Sequence, residues 1–118
     1  MEPSRARTPP PVDARKAEFF RALGHPARIG LLQALGRGER TVGALQAELG
    51  MESSSTSQHL GALRRQGLVA ARRQGTSVHY RLKDVRVLEL LDSARAILIA
   101  SLTDDEALLH GLAQDDAT

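Results

Sequence analysis

The sequence predicts a mostly helical fold with one small β-hairpin, and three observations carry that prediction. Apolar residues recur at helical spacing in four stretches before residue 67 and again after residue 84. Glycine, proline or a short polar residue opens or closes each of these stretches. Between them, Leu68 to Arg73 reads as a strand, residues 74–77 as a turn around Gly75, and residues 77–82 alternate polar and apolar side chains as a return strand would. The predicted order is α-α-α-α-β-β-α with a short extra helix at the C-terminal end.

Residues 1–12 carry Pro3, Pro9, Pro10 and Pro11 with Arg5 and Arg7, which predicts a flexible basic arm, either a loose tail or a DNA-touching one. A first helix runs from Asp13 to Leu23, with Ala17, Phe20 and Leu23 on one face and Phe19 on another, and Gly24 ends it. Pro26 suits a first helical turn, so a second helix follows over about residues 27–35, closed by Gly36 and Gly38. Arg28, early in that helix, fits either a surface charge or a phosphate contact. Thr41 can cap a third helix that buries Val42, Leu45 and Leu49 and stops at Gly50. A brief turn leads to Ser53 or Ser54 as the cap of a fourth helix. Two helices joined in this way form a helix-turn-helix.

The fourth helix, residues 54–66, separates cleanly on a wheel of 100° per residue. Thr56, Leu60 and Leu63 share one side and must pack inward. Ser54, Gln58, Gly61, Ala62 and Arg65 point the other way, with Ser55 and Ser57 on the flanks. Hydroxyls and an amide at the leading end, small residues in the middle and Arg64 and Arg65 at the trailing end suit a helix lying in a major groove. Gln58 can pair bidentately with adenine, and the arginines can reach phosphates or a guanine edge. A mid-helix glycine costs about 0.5–1 kcal/mol relative to alanine, and solubility alone gives no reason to bear that. The hairpin follows, with strands at residues 68–73 and 78–82. Val78, Tyr80 and Leu82 share its apolar side, and Ser77, His79 and Arg81 its polar side. Its tip, with Arg73, Gln74, Thr76 and Ser77, is basic and polar like a wing laid along a duplex. Helix-turn-helix plus hairpin is a winged helix-turn-helix.

Charge supports a polyphosphate partner. Residues 53–83 hold six Lys/Arg and two His with no Asp or Glu. Residues 1–83 carry 14 Lys/Arg against 6 Asp/Glu (net +8), and residues 84–118 carry 2 against 8 (net −6). Aromatics make up only 3%, too few for a platform on which single-stranded bases stack. The absence of cysteine excludes disulfides and thiolate metal sites and makes a reducing cytoplasm the expected setting. Neither a secretory signal nor a membrane span is expected.

The longest helix is predicted from Asp84 to Leu102, and Thr103 to Glu106 begin a short acidic helix ending at Leu112. Val85, Leu88, Leu91, Ala94, Leu98 and Leu102 form one stripe, with further apolar residues around it. So apolar a helix needs cover from outside a small domain, which points to a two-fold homodimer. Phe19, Phe20, Leu88, Leu91, Ala94 and Leu98 are the expected dimerisation residues. The domain division expected is 1–12 arm, 13–102 DNA-binding and dimerisation domain, and 103–118 acidic helix and tail.

At these residues the chain resembles the ArsR/SmtB family of winged-helix regulators. The resemblance runs from about Ala14 to Leu91. It rests on Ala22-Leu23-Gly24-His25-Pro26 with Arg28, on Leu31-Leu32, and on Ser57-Gln58-His59-Leu60 with Leu63. It continues through Gly67-Leu68-Val69, Arg72-Arg73, Gly75 and Tyr80-Arg81-Leu82. It implies a prokaryotic, cytoplasmic homodimer that binds promoter DNA as a repressor and is nucleoid-associated when bound. The expected partner is double-stranded DNA with a pseudo-palindromic operator. The DNA-binding residues expected are Ser54, Ser55, Ser57, Gln58, His59, Arg64, Arg65, Arg73, Gln74, Thr76, Ser77 and His79. The sequence departs from the family in its sensor. Family cysteines at the start of the third helix have no counterpart between Thr41 and Leu49, and the ligands of the long helix are missing between Val85 and Leu102.

Three alternatives stay open at this point. Glu106 and His110, four apart, offer two ligands to a divalent metal effector, short of a closed site. A winged helix that binds a protein instead of DNA would show weak, salt-insensitive affinity for duplexes. An enzyme is disfavoured, because no nucleophile–base pair, phosphate-cradling loop or paired carboxylates can be assembled.

Overall fold

The computed structural model describes residues 11–116. They form helices α1 (Pro11–Leu23), α2 (Pro26–Leu35), α3 (Val42–Leu49), α4 (Ser53–Arg65) and α5 (Arg86–Asp116). Strands β1 (Arg40–Thr41), β2 (Val69–Gln74) and β3 (Ser77–Leu82) make one antiparallel sheet in the order β1-β3-β2. This is a winged helix-turn-helix. Of the expected arm, residues 1–10 lie outside the described residues, and Pro11 and Val12 already belong to α1, where proline is tolerated at a helix start.

Local chemistry sets the boundaries of the winged body. His25 precedes α2 in an extended conformation, and its Nδ1 accepts the Ala27 amide at 3.1 Å, so it acts as a cap. Thr41 caps α3 as the sequence predicts, its Oγ1 accepting the Ala44 amide at 3.1 Å. Gly50 closes α3 at φ 63, a left-handed conformation that favours glycine. After α4, Gly67 at φ 74 turns the chain, the Leu68 amide donates to the Leu63 carbonyl at 3.0 Å, and β2 begins. Leu31, Leu32, Leu45, Leu60 and Leu63 have no exposure and form the centre of the core, with Thr56 equally buried among them. Burying each such leucine contributes roughly 1.5–3 kcal/mol.

Two departures from the predicted element order have plain causes. β1 is two residues long and exists through pairing of Arg40 with Tyr80 and Thr41 with His79, which no local periodicity signals. The predicted break at residue 103 does not occur, because α5 is one helix of 31 residues. The Thr103 hydroxyl, expected to open a new helix, donates to the Ile99 carbonyl at 3.0 Å within the same helix. With no glycine or proline between Arg86 and Leu109, the helix has no reason to stop there. The chain divides into two compact units, residues 1–85 and 86–118. Within the second, every residue from Asp92 to Ala113 is exposed, including Ile97, Leu98, Leu102, Leu108, Leu109 and Leu112.

Candidate nucleic-acid interface

Helix α4 is fixed from behind by Thr56, Leu60 and Leu63. The Thr56 hydroxyl donates to the Glu52 carbonyl at 2.7 Å, which satisfies the one polar side chain in this part of the core. That anchoring leaves Ser54, Ser57, Gln58, Arg64 and Arg65 exposed along the opposite side, with Gly61 half-buried among them. A Cβ added at Gly61 would stand 3.4 Å from an Arg65 guanidinium nitrogen, so Arg65 folds back along this same stripe. The first turn of α4 contains no acid. Its N-cap is Glu52, which makes no side-chain cap, so neither Ser53 nor Ser54 takes the capping role the sequence predicts. The leading amides of a helix with this arrangement favour an anion.

Ala62, assigned to the outer face, and His59, expected to bind DNA, both turn inward. Ala62 is buried, not outward, because α1 and α2 cover that flank; it borders a cavity of about 210 Å³ with Glu18, Arg21 and Arg28. Its small side chain permits that close cover. His59 is half-buried, its Nδ1 accepting from Arg28 Nε at 3.1 Å and its ring 4.3 Å from that of His25. Burial, then the nearby His25 and Arg28, hold the His59 pKa below the usual histidine value, so the ring is neutral at pH 7. Arg28 also donates to the Ala22 carbonyl at 3.3 Å. It therefore braces α4 against α1 and α2 and is not a free phosphate contact.

The hairpin carries the second group of candidate residues. Gln74 pairs with Ser77 across a two-residue loop, with Gly75 at φ 63, so the tip is short. Arg73, Gln74, Thr76 and Ser77 are all exposed there. His79 lies farther back in the central strand, half-buried between Thr41 and Arg72, and Ser55 on α4 is likewise half-buried. Register separates the basic residues by face. Arg73 pairs with Val78 on the side carrying Tyr80 and Leu82, whereas Arg72 pairs with His79 on the polar side.

The residue missed from sequence is Arg72. It donates through Nε and Nη2 to the two carboxylate oxygens of Glu39, at 2.7 and 3.0 Å, and through Nη1 to Gln74 Oε1 at 2.8 Å. The Arg72 hydrogen bonds hold the Glu39 carboxyl below the usual range, and Glu39 in turn raises the Arg72 guanidinium. Residues 70–74, Ala-Ala-Arg-Arg-Gln, do not alternate, so nothing local marked its face. The carboxylate itself lies 33 residues away in sequence. A second ion-pair cluster joins Glu48 of α3 to Arg37 and, at 3.5 Å, to Arg40.

Phe19 is half-buried and Phe20 exposed in α1, with their rings edge-to-face at 5.5 Å. Of the other expected dimerisation residues, Leu88 and Leu91 are half-buried while Ala94 and Leu98 are exposed. Glu106 and His110 are exposed on α5, and among the described residues no three metal-ligating side chains come together. Among the described residues, no helix is long and apolar enough to cross a membrane.

Known proteins with the same arrangement of elements identify its family. A helix-turn-helix domain family matches residues 23–72. The transcriptional regulator Rv0081 of Mycobacterium tuberculosis is 47% identical over 103 residues, covering 86% of this chain and 90% of that protein. Its crystal structure superposes with a TM-score of 0.73 over 80% of this chain and 96% of that one. The homodimeric winged helix-turn-helix domain Mb0332 of Mycobacterium bovis, a possible ArsR-family regulator, is 33% identical with a TM-score of 0.67, covering 74% and 81%. The biofilm growth-associated repressor of Agrobacterium fabrum is 36% identical over 94 residues, 77% of this chain and 80% of that protein. The chain belongs to the ArsR/SmtB family of winged helix-turn-helix regulators.

Proposed function

We propose that this protein is a sequence-specific, promoter-binding repressor that acts as a homodimer without a cysteine sensor. The observation that carries the reading is the acid-free exposed stripe Ser54, Ser57, Gln58, Arg64 and Arg65, with half-buried Gly61 among them, on a helix whose opposite side buries Thr56, Leu60 and Leu63. In this reading α4 enters the major groove with its leading end. Gln58 reads an adenine edge, Arg65 reads a guanine edge or grips a flanking phosphate, and the mid-helix glycine permits close approach. Arg73, Gln74, Thr76 and Ser77 at the wing tip take the adjacent backbone and set register. His59 and His79 act behind the surface, one bracing α4 and the other packing in the sheet. The repressor function is supported by relatives such as the Agrobacterium fabrum protein.

The dimer is supported by the exposed leucines and isoleucines of α5 and by the homodimeric Mycobacterium bovis relative. Two copies related by a two-fold axis would meet a pseudo-palindrome with half-sites about one helical turn apart. The test selects duplexes from random sequence and compares Gln58→Ala and Arg65→Ala with the wild type on the selected operator and on scrambled duplex. Each substitution should remove about 1–3 kcal/mol of discrimination. Undiminished discrimination in both would overturn the assignment.

A further inference from the structure

We infer that Glu39 is a built-in rival of the DNA backbone, holding Arg72 in a two-point clasp from which a duplex phosphate draws it. The inference rests on the DNA-binding reading above. Among the described residues, Arg72 is the one cation of residues 53–83 held in a carboxylate fork. Arg72 pairs with His79 and His79 with Thr41, so the clasp spans the sheet from β2, over the central strand, to the residue ahead of β1. Besides Arg72, Arg81 also places positive charge near the Glu39 carboxylate. This charge keeps the carboxylate ionised, and the clasp intact, well below neutral pH.

Chemistry makes carboxylate and phosphate alternatives here. A guanidinium presents the same fork of N–H donors to a carboxylate and to a backbone phosphodiester. The clasp is also open to exchange. The Arg72 side chain is 50% exposed and that of Glu39 31%, and water-exposed pairs of this kind are weak. Arg72 shares its face of the wing with Gln74 and Ser77 at the tip, so the side chain already lies among groups assigned to the backbone. Glu39 thus pre-shapes Arg72 for an anion while reducing its sequence-independent attraction to DNA.

Glu39→Gln keeps the shape and removes the charge, and it separates this role from simple bracing. A rival once removed gives tighter binding; a brace once removed gives looser binding. With random-sequence duplex, the variant should bind more tightly than wild type at low salt. Its log–log salt slope should match that of wild type, because Arg72 reaches the same phosphate in both complexes. The tightening should not appear when Arg72→Gln is combined with it. A measurement on the wild type needs no variant: the Arg72 Nε–Hε resonance should move when duplex is added to saturation. An unchanged or weakened Glu39→Gln affinity, or a stationary Arg72 resonance in a wild type that binds DNA, overturns the inference alone. A wild type that binds no duplex overturns both it and the DNA-binding reading.

Discussion

Helix α4 hides its apolar side within its own chain, whereas α5 leaves its apolar side in water. Thr56, Leu60 and Leu63 have no exposure, yet on α5 Ile97, Leu98, Leu102 and Leu109 are each more than 60% exposed. Both helices alternate apolar and polar positions, so periodicity does not distinguish them. What distinguishes them is burial: α1, α2 and α3 pack on α4, whereas residues 92–113 of α5 are all exposed. An exposed apolar run of this extent on a small protein marks an interaction surface. The contrast assigns α4 to holding a shape and α5 to finding a partner.

The contrast can be broken most directly by truncation on each helix. Leu63→Ala should destabilise the fold by about 2–5 kcal/mol, as for other fully buried leucines. Leu108→Ala should stay within about 0.5 kcal/mol in urea titrations run at a concentration low enough to keep the chain monomeric. Equal losses at both sites would mean that α5 is covered after all. Next in size, Leu98→Glu should leave the monomer folded but abolish pairing in sedimentation. It should weaken operator binding about 100-fold, since the second half-site is then no longer delivered at high effective concentration.

A smaller change sharpens the reading of α4. Gly61→Ala should raise stability by about 0.5–1 kcal/mol through helix propensity, with the flexible Arg65 head giving way to the new methyl group. On the proposed reading the same variant should bind operator several-fold less tightly, because the methyl would stand between the helix and the bases. A gain in stability with no loss of binding would remove Gly61 from the interface.

The smallest effect concerns His59, whose pKa is lowered on folding. The unfolded chain therefore binds more protons than the folded one below about pH 6.5. The stability that neutral His59 contributes is present above that pH and is lost as pH falls toward its depressed folded value. A melting curve recorded from pH 8 down to pH 5 should show this decline, and His59→Asn should flatten it.

Much of the winged body was legible because its signals are local. Gly50, Gly67 and Gly75 mark their turns by a backbone shape that glycine adopts at least cost, and Thr41 marks α3 by its hydroxyl. The alternation of residues 77–82 gave β3 its faces. The misses are all tertiary. β1 exists through its partner β3, Ala62 turns inward through α1 and α2, and Glu39 finds Arg72 across the sheet. Thr103 was misread for a related reason, since a hydroxyl can serve a helix start or bond back within a continuing helix. The candidate DNA-binding residues on α4 and at the wing tip followed from the wheel and the alternation. Arg72 escaped because its restraint comes from a distant residue.

The bare start of α4 has a dynamic consequence. With Glu52 contributing no side-chain oxygen, the first turn is held by the buried Thr56 and Leu60 one turn further on and not by a terminal clamp. Solvent deuterium should therefore enter α4 from this end, ahead of its middle, through brief fraying that leaves the leucine core intact. An anion bound at those leading amides would close the fray, and exchange there should slow when it arrives.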